Sequence, residues 1–142
     1  MNYFPRKRCV VPIDFSERAP EELKVAAQLV ASPKDLYLIH VLSRAPDFDP
    51  TMSADPARDE RRRETARSFM ARRYARGPLS EANLEVRLGR PGREIPAYAV
   101  EVDADLLVIS SRGLTGLDHE RLGSVAEVVI RFAECPVLVL RD

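Results

Sequence analysis

The chain has 142 residues, is 45% apolar and 31% charged, and balances 22 basic against 22 acidic side chains. That composition belongs to a folded globular protein and excludes disorder of the whole chain. Zero formal net charge favours neither nucleic acid nor an anionic membrane as a partner.

The length suits one domain over residues 1–142. No apolar run approaches the roughly 20 residues of a membrane span. Basic residues open the chain, but the apolar run after them is short and contains Pro12, so it does not read as a signal peptide. The expected location is the cytoplasm, where Cys9 and Cys135 stay reduced. Each abuts an apolar run and reads as a small buried residue; their spacing gives no support to a redox pair.

Five short apolar runs follow one another: Cys9 to Ile13, Leu36 to Leu42, Leu84 to Leu88, Leu106 to Ile109, and Val137 to Leu140. They are rich in β-branched residues, as buried strands are. Helical spacing fills the gaps: Leu23, Ala26, Ala27 and Val30; then Ala66, Phe69, Met70 and Tyr74; then Ile95, Ala99 and Val102; then Val125, Val128, Val129 and Phe132. Strand and helix in alternation predict parallel strands with right-handed crossovers, a three-layer α/β sandwich of the doubly wound type with helices on both faces. An irregular stretch from Ser43 to Asp59, with Pro46, Pro50 and Pro56, links the second strand to the second helix. It is either a lid or a poorly ordered surface loop.

The third run alternates apolar and charged residues, which suits a sheet edge. The fifth is apolar throughout and nearly ends the chain. At an edge it is an exposed pairing template. A homodimer joined through Val137–Leu140 would satisfy its backbone groups.

Between the fourth strand and the last helix lies Ser110-Ser111-Arg112-Gly113, then Gly116, then Gly123-Ser124-Val125. Ligands of open parallel sheets bind beyond the carboxyl ends of the strands. If the first and fourth strands are neighbours, Pro12-Ile13-Asp14 and this loop border one crevice. Glycines let a ligand approach the backbone, and the head of the last helix favours an anion. Ser124 and Glu127 also fit a capping box, which by itself would explain the serine. Asp14 could likewise serve only to bond backbone at its turn, and Ser16 could be the cap of the first helix.

The segment resembles the signature of the universal stress protein family, whose ATP-binding members carry Gly, two residues, Gly, nine residues, Gly, then Ser or Thr. Here the register is Ser110, Gly113, Gly123, Ser124, with serine in place of the first glycine. Val11 to Ser16, Leu38 to Val41, Gly89-Arg90-Pro91 and Cys135 to Val139 are similar to other parts of that family. The resemblance implies an adenine nucleotide alpha hydrolase-like fold, with a five-stranded parallel sheet in the order 3-2-1-4-5. It implies a site for ATP, with magnesium or manganese carried by the nucleotide. Pro12, Ile13 and Asp14 would lie by the nucleoside, and the Val41 backbone by adenine. Ser110, Arg112 and Gly113 would follow the ribose and phosphates, with Gly123, Ser124 and Val125 cradling the triphosphate. It also implies a dimer through the fifth strand and a stress-response signalling role, with an unidentified protein as partner.

The second helix carries Arg58, Arg61, Arg62, Arg63, Arg67, Arg72, Arg73 and Arg76, but Asp55, Asp59, Glu60 and Glu64 are interleaved. A solvated face with ion pairs, or a docking face for an acidic protein, fits better than nucleic acid. His40 and His119, the two histidines, have the spacing of neither a zinc site nor a triad, and no serine sits in a nucleophile elbow. The residues present no hydrolase machinery beyond slow ATP hydrolysis. The expected function is nucleotide-linked signalling. The alternatives are a nucleotide-independent dimeric interaction module and a weak ATPase or phosphoryl- or adenylyl-transfer enzyme.

Overall fold

A computed structural model describes residues 2–43, 55–111 and 122–141. Five parallel strands, β1 (Cys9–Pro12), β2 (Leu36–Leu42), β3 (Asn83–Leu88), β4 (Leu106–Ser110) and β5 (Val137–Leu140), form one sheet in the order β3-β2-β1-β4-β5. Four helices cross between them: α1 (Ala19–Leu29), α2 (Pro56–Arg73), α3 (Pro91–Glu101) and α4 (Ser124–Phe132).

Alternation along β1 sends its side chains to two cores. Cys9, Val11 and Ile13 pack with Leu36, Leu38, Leu106 and Val108 beneath Leu23 and Ala26 of α1 and Met70 of α2. Val10 faces the other way, with Ile39, Leu107 and Ile109 beneath Ile95, Tyr98 and Ala99 of α3 and Val129 of α4. The central strands β1 and β4 are apolar on both faces because helices cover both.

The two thiols belong to opposite layers, Cys9 in the first core and Cys135 against the second. Burial, then the nearby Asp105 and Cys135, pushes the Cys9 thiol up to about 12. Cys135 is only half-buried, short of the expected burial, and its thiol is also raised, by partial burial and Asp105.

Three local expectations are corrected. The irregular stretch ends at Asp55, whose carboxylate accepts from the Arg58 N–H at 3.1 Å and starts α2 with Pro56 in the first turn; residues 44–54 lie outside the described residues. Arg76 falls beyond the end of α2. The inward stripe of α4 is Ala126 and Val129, whereas Val125 and Phe132 are exposed. α4 packs beside α3, so close that Gly92 lies against the Val128 side chain, and its opposite flank is left uncovered.

Candidate functional site

The carboxyl ends of β1, β2 and β4 open into a crevice of about 300 Å3. β1 and β4 are indeed neighbours, with Cys9 opposite Leu106 and Val10 opposite Leu107. Of the residues expected at the site, Pro12, Ile13, Asp14, Val41, Ser110, Gly123, Ser124 and Val125 all line this one space. Arg112 and Gly113, with Gly116 and His119, lie outside the described residues.

The turn after β1 aims Asp14. Its Oδ1 accepts the Ser16 N–H at 2.9 Å, so the local turn bond is real. That bond occupies one oxygen of a carboxylate that can accept several. Phe15, next along, sits at φ 63, the left-handed region that bulky residues rarely enter. Its ring stacks on His40 at 3.9 Å between centroids. The His40 Nδ1–H donates to the Ile13 carbonyl at 2.5 Å, which assigns the hydrogen to Nδ1 because a carbonyl only accepts. Burial holds His40 below its ordinary value, against the opposing effects of that bond and of Asp14. The ring is therefore a neutral wall of the crevice. The Ser16 hydroxyl accepts from Arg18, but the residue flanking α1 is Arg18 itself, so the expected Ser16 cap is replaced by a looser turn.

The head of α4 also differs from expectation. Gly123 is the N-cap and Ser124 the first helical residue, and no side chain caps the end. The capping box of Ser124 and Glu127 does not form, because each stands one position too late. Glu127 donates its N–H to the Gly123 carbonyl at 3.0 Å as an ordinary helical bond. The first N–H groups of the helix thus have no intrahelical acceptor and border the crevice.

Two serines brace this corner. The Ser111 N–H donates to the Leu140 carbonyl at 2.9 Å, and the Ser111 carbonyl accepts the Gly123 N–H at 2.5 Å. Ser110 is half-buried, and its side chain hydrogen-bonds Glu22.

Glu22 is a crevice residue that the sequence did not reveal. It comes from α1, is 5% exposed and lines the crevice beside Asp14 and Ser110. Burial first, then the Asp14 charge, raises its carboxyl to about 8, against Arg18 and the Ser110 bond. A signal existed: Glu22 follows Ala19 by three and precedes Ala26 by four, on the buried stripe of α1. Among the described residues no group of three or more His, Cys, Asp or Glu could hold a metal. No described helix is long and apolar enough to cross a membrane.

A second, open groove of about 500 Å3 is lined by apolar Phe15, Leu42 and Phe69 and by Arg58, Arg61 and Arg62. Several arginines of α2 are tied locally: Arg62 donates to the Ser43 carbonyl, Arg67 to the Leu84 carbonyl, and Arg63 pairs with Glu60 at 3.6 Å.

The model of the universal stress protein family matches residues 5–141. A universal stress protein of Methanocaldococcus jannaschii, MJ0531, is 32% identical over 139 residues, covering 95% of this chain and 82% of its own. One from Thermus aquaticus is 31% identical over 131 residues, covering 90% and 91%. Among solved structures, protein MJ0577 superposes with a TM-score of 0.73 at 25% identity, over 96% of each chain. A universal stress protein solved in complex with cAMP shares the fold, with a TM-score of 0.57 at 23% identity over 96% and 98%. Near-complete matches in sequence and in topology converge on one conclusion: the chain belongs to the universal stress protein family.

Proposed function

We propose that this chain binds ATP or a related adenine nucleotide in the crevice between β1, β2 and β4, and acts as a nucleotide-linked stress-response signalling module. The observation that carries the reading is the uncapped head of α4 opening on that crevice. Free N–H groups and the helix dipole suit a phosphate without needing a lysine. In this reading the Val41 backbone meets adenine, Asp14 accepts from ribose hydroxyls, and Gly123, Ser124 and Val125 hold phosphate oxygens. Magnesium or manganese would arrive on the nucleotide. Bound nucleotide would favour one surface over another, and a protein partner would read the difference. The same reading has the protein working in the cytoplasm as a homodimer joined at β5. That strand pairs only with β4 among the described strands, and Phe132 and Leu138 are exposed around it.

The experiment is to assay purified protein for adenine nucleotide by absorbance and mass, then to titrate ATP, AMP and cAMP, with and without magnesium, against thermal stability. Ligand at a hundred times its dissociation constant should add about 2.7 kcal/mol. No shift with any of them supports a second reading, a dimeric interaction module without nucleotide. The carboxyl of Glu22 in the crevice is the observation that favours that module.

A further inference from the structure

The crevice floor combines groups that do not ordinarily meet an anion. Glu22 enters from α1 and Asp14 from the end of β1. Glu22 and Ser111 are the buried polar side chains among the described residues. The side chain of Ser110, on β4, hydrogen-bonds Glu22, and Arg18, just before α1, offsets part of its charge. His40 faces the same space from β2, and the head of α4 contributes Ser124 and no charged side chain to the lining. The described lining therefore holds two carboxyls and neither lysine nor arginine.

Two carboxyls sharing a low-dielectric site do not both ionise near neutral pH. Glu22, the more enclosed, is the one that burial and Asp14 keep protonated, up to about pH 8. An ionised Glu22 would repel a phosphate held at the head of α4, whereas the neutral acid has an O–H to donate.

We propose that Glu22 is a ligand-facing residue of the nucleotide crevice, working as a neutral carboxylic acid that donates its hydrogen to a nucleotide oxygen, so that an adenine nucleotide and one proton bind as a pair. The proposal rests on the nucleotide reading above and deepens it. No bond of the nucleotide changes: where Glu22 is ionised, its carboxylate takes one proton from solvent as an O–H bond and keeps it. The Ser110 side chain then has a place, since its bond to Glu22 fixes the carboxyl across the floor.

The test is calorimetry of the full chain with ATP and with AMP, at intervals from about pH 7.5 to 9.5, each in two buffers of different ionisation heat. Phosphate, with its second pKa near 6, is already ionised throughout that window. Wild-type affinity should fall by up to about tenfold per pH unit above the Glu22 pKa, with uptake approaching one proton per nucleotide. Glu22→Gln, whose amide does not titrate, should lose that fall, judged by the ratio of its own affinities at the two extremes. Ser110→Ala removes a bond that favours the ionised form, so the fall should move to higher pH. Equal falls in wild type and Glu22→Gln, flat wild-type binding, or no proton uptake would overturn the proposal. Should Glu22→Gln not fold, the Ser110→Ala profile decides, and an unmoved fall overturns it. Flat binding removes only the role of Glu22. Absence of nucleotide binding at every pH removes the nucleotide reading and this proposal with it.

Discussion

The rings of Phe15 and His40 stack 18° from parallel, and the pair links two hollows: His40 lines the crevice and Phe15 the arginine-lined groove. Phe15 also meets Phe69 edge-on at 4.9 Å. Its backbone stores left-handed strain that glycine would not have. Phe15→Ala should therefore cost about 2–3 kcal/mol in urea unfolding. Phe15→Gly should cost no more than Phe15→Ala, reversing the usual order, because glycine relieves about 1 kcal/mol of strain. A glycine variant clearly less stable than the alanine variant would argue against strain at this position.

A Cβ on Gly92 would stand 2.7 Å from Cγ1 of Val128, closer than packing allows. Gly92→Ala should destabilise by about 1–3 kcal/mol through overpacking between α3 and α4. Adding Val128→Ala should recover part of that loss in a double-mutant cycle, whereas independent, additive effects would mean that the two sites do not touch.

Stability should depend on pH through Glu22. Its folded carboxyl sits near 8, above the ordinary 4.5, so the folded state holds the extra proton between those values. The stability this contributes is complete below about pH 4.5 and is lost as pH rises toward 8, at up to about 1.4 kcal/mol per pH unit. Chemical unfolding of wild type and Glu22→Gln across that range should give a falling curve for wild type and a flatter one for the variant. Parallel curves would assign the slope to other groups.

The proposed dimer at β5 predicts that charge on the outer flank separates the copies. Phe132 is 59% exposed and Leu138 36% exposed, so neither should be needed to hold the monomer together. The double substitution Phe132→Glu and Leu138→Lys should change sedimentation from two chains to one, with the circular dichroism spectrum retained. A wild-type monomer, or a double variant that stays dimeric, would exclude this edge.

The sheet was legible because its strands are short β-branched runs whose lengths match the observed elements to within a residue or so, β2 and β5 without any difference. The crevice was legible because parallel topology places the ends of β1 and β4 side by side. Other features were hidden for physical reasons. Glu22 is hard to find because charged residue types usually face solvent, although its helical spacing puts it on the covered face of α1. Ser124 looked like a cap because its residue type fits, but Gly123 takes that place through its backbone alone. Val125 and Phe132 share the apolar character of Val129, and only the position of α4 over the sheet tells which of them is covered. Nothing in the residue type announces the left-handed backbone of Phe15, since phenylalanine rarely adopts it.

Ser111 works as a mechanical splice. One of its backbone groups grips the last residue of β5 and the other grips Gly123 at the start of α4. Any tug that shifts this helix head must strain the outermost strand, and any clamp on that strand stiffens the helix head in return.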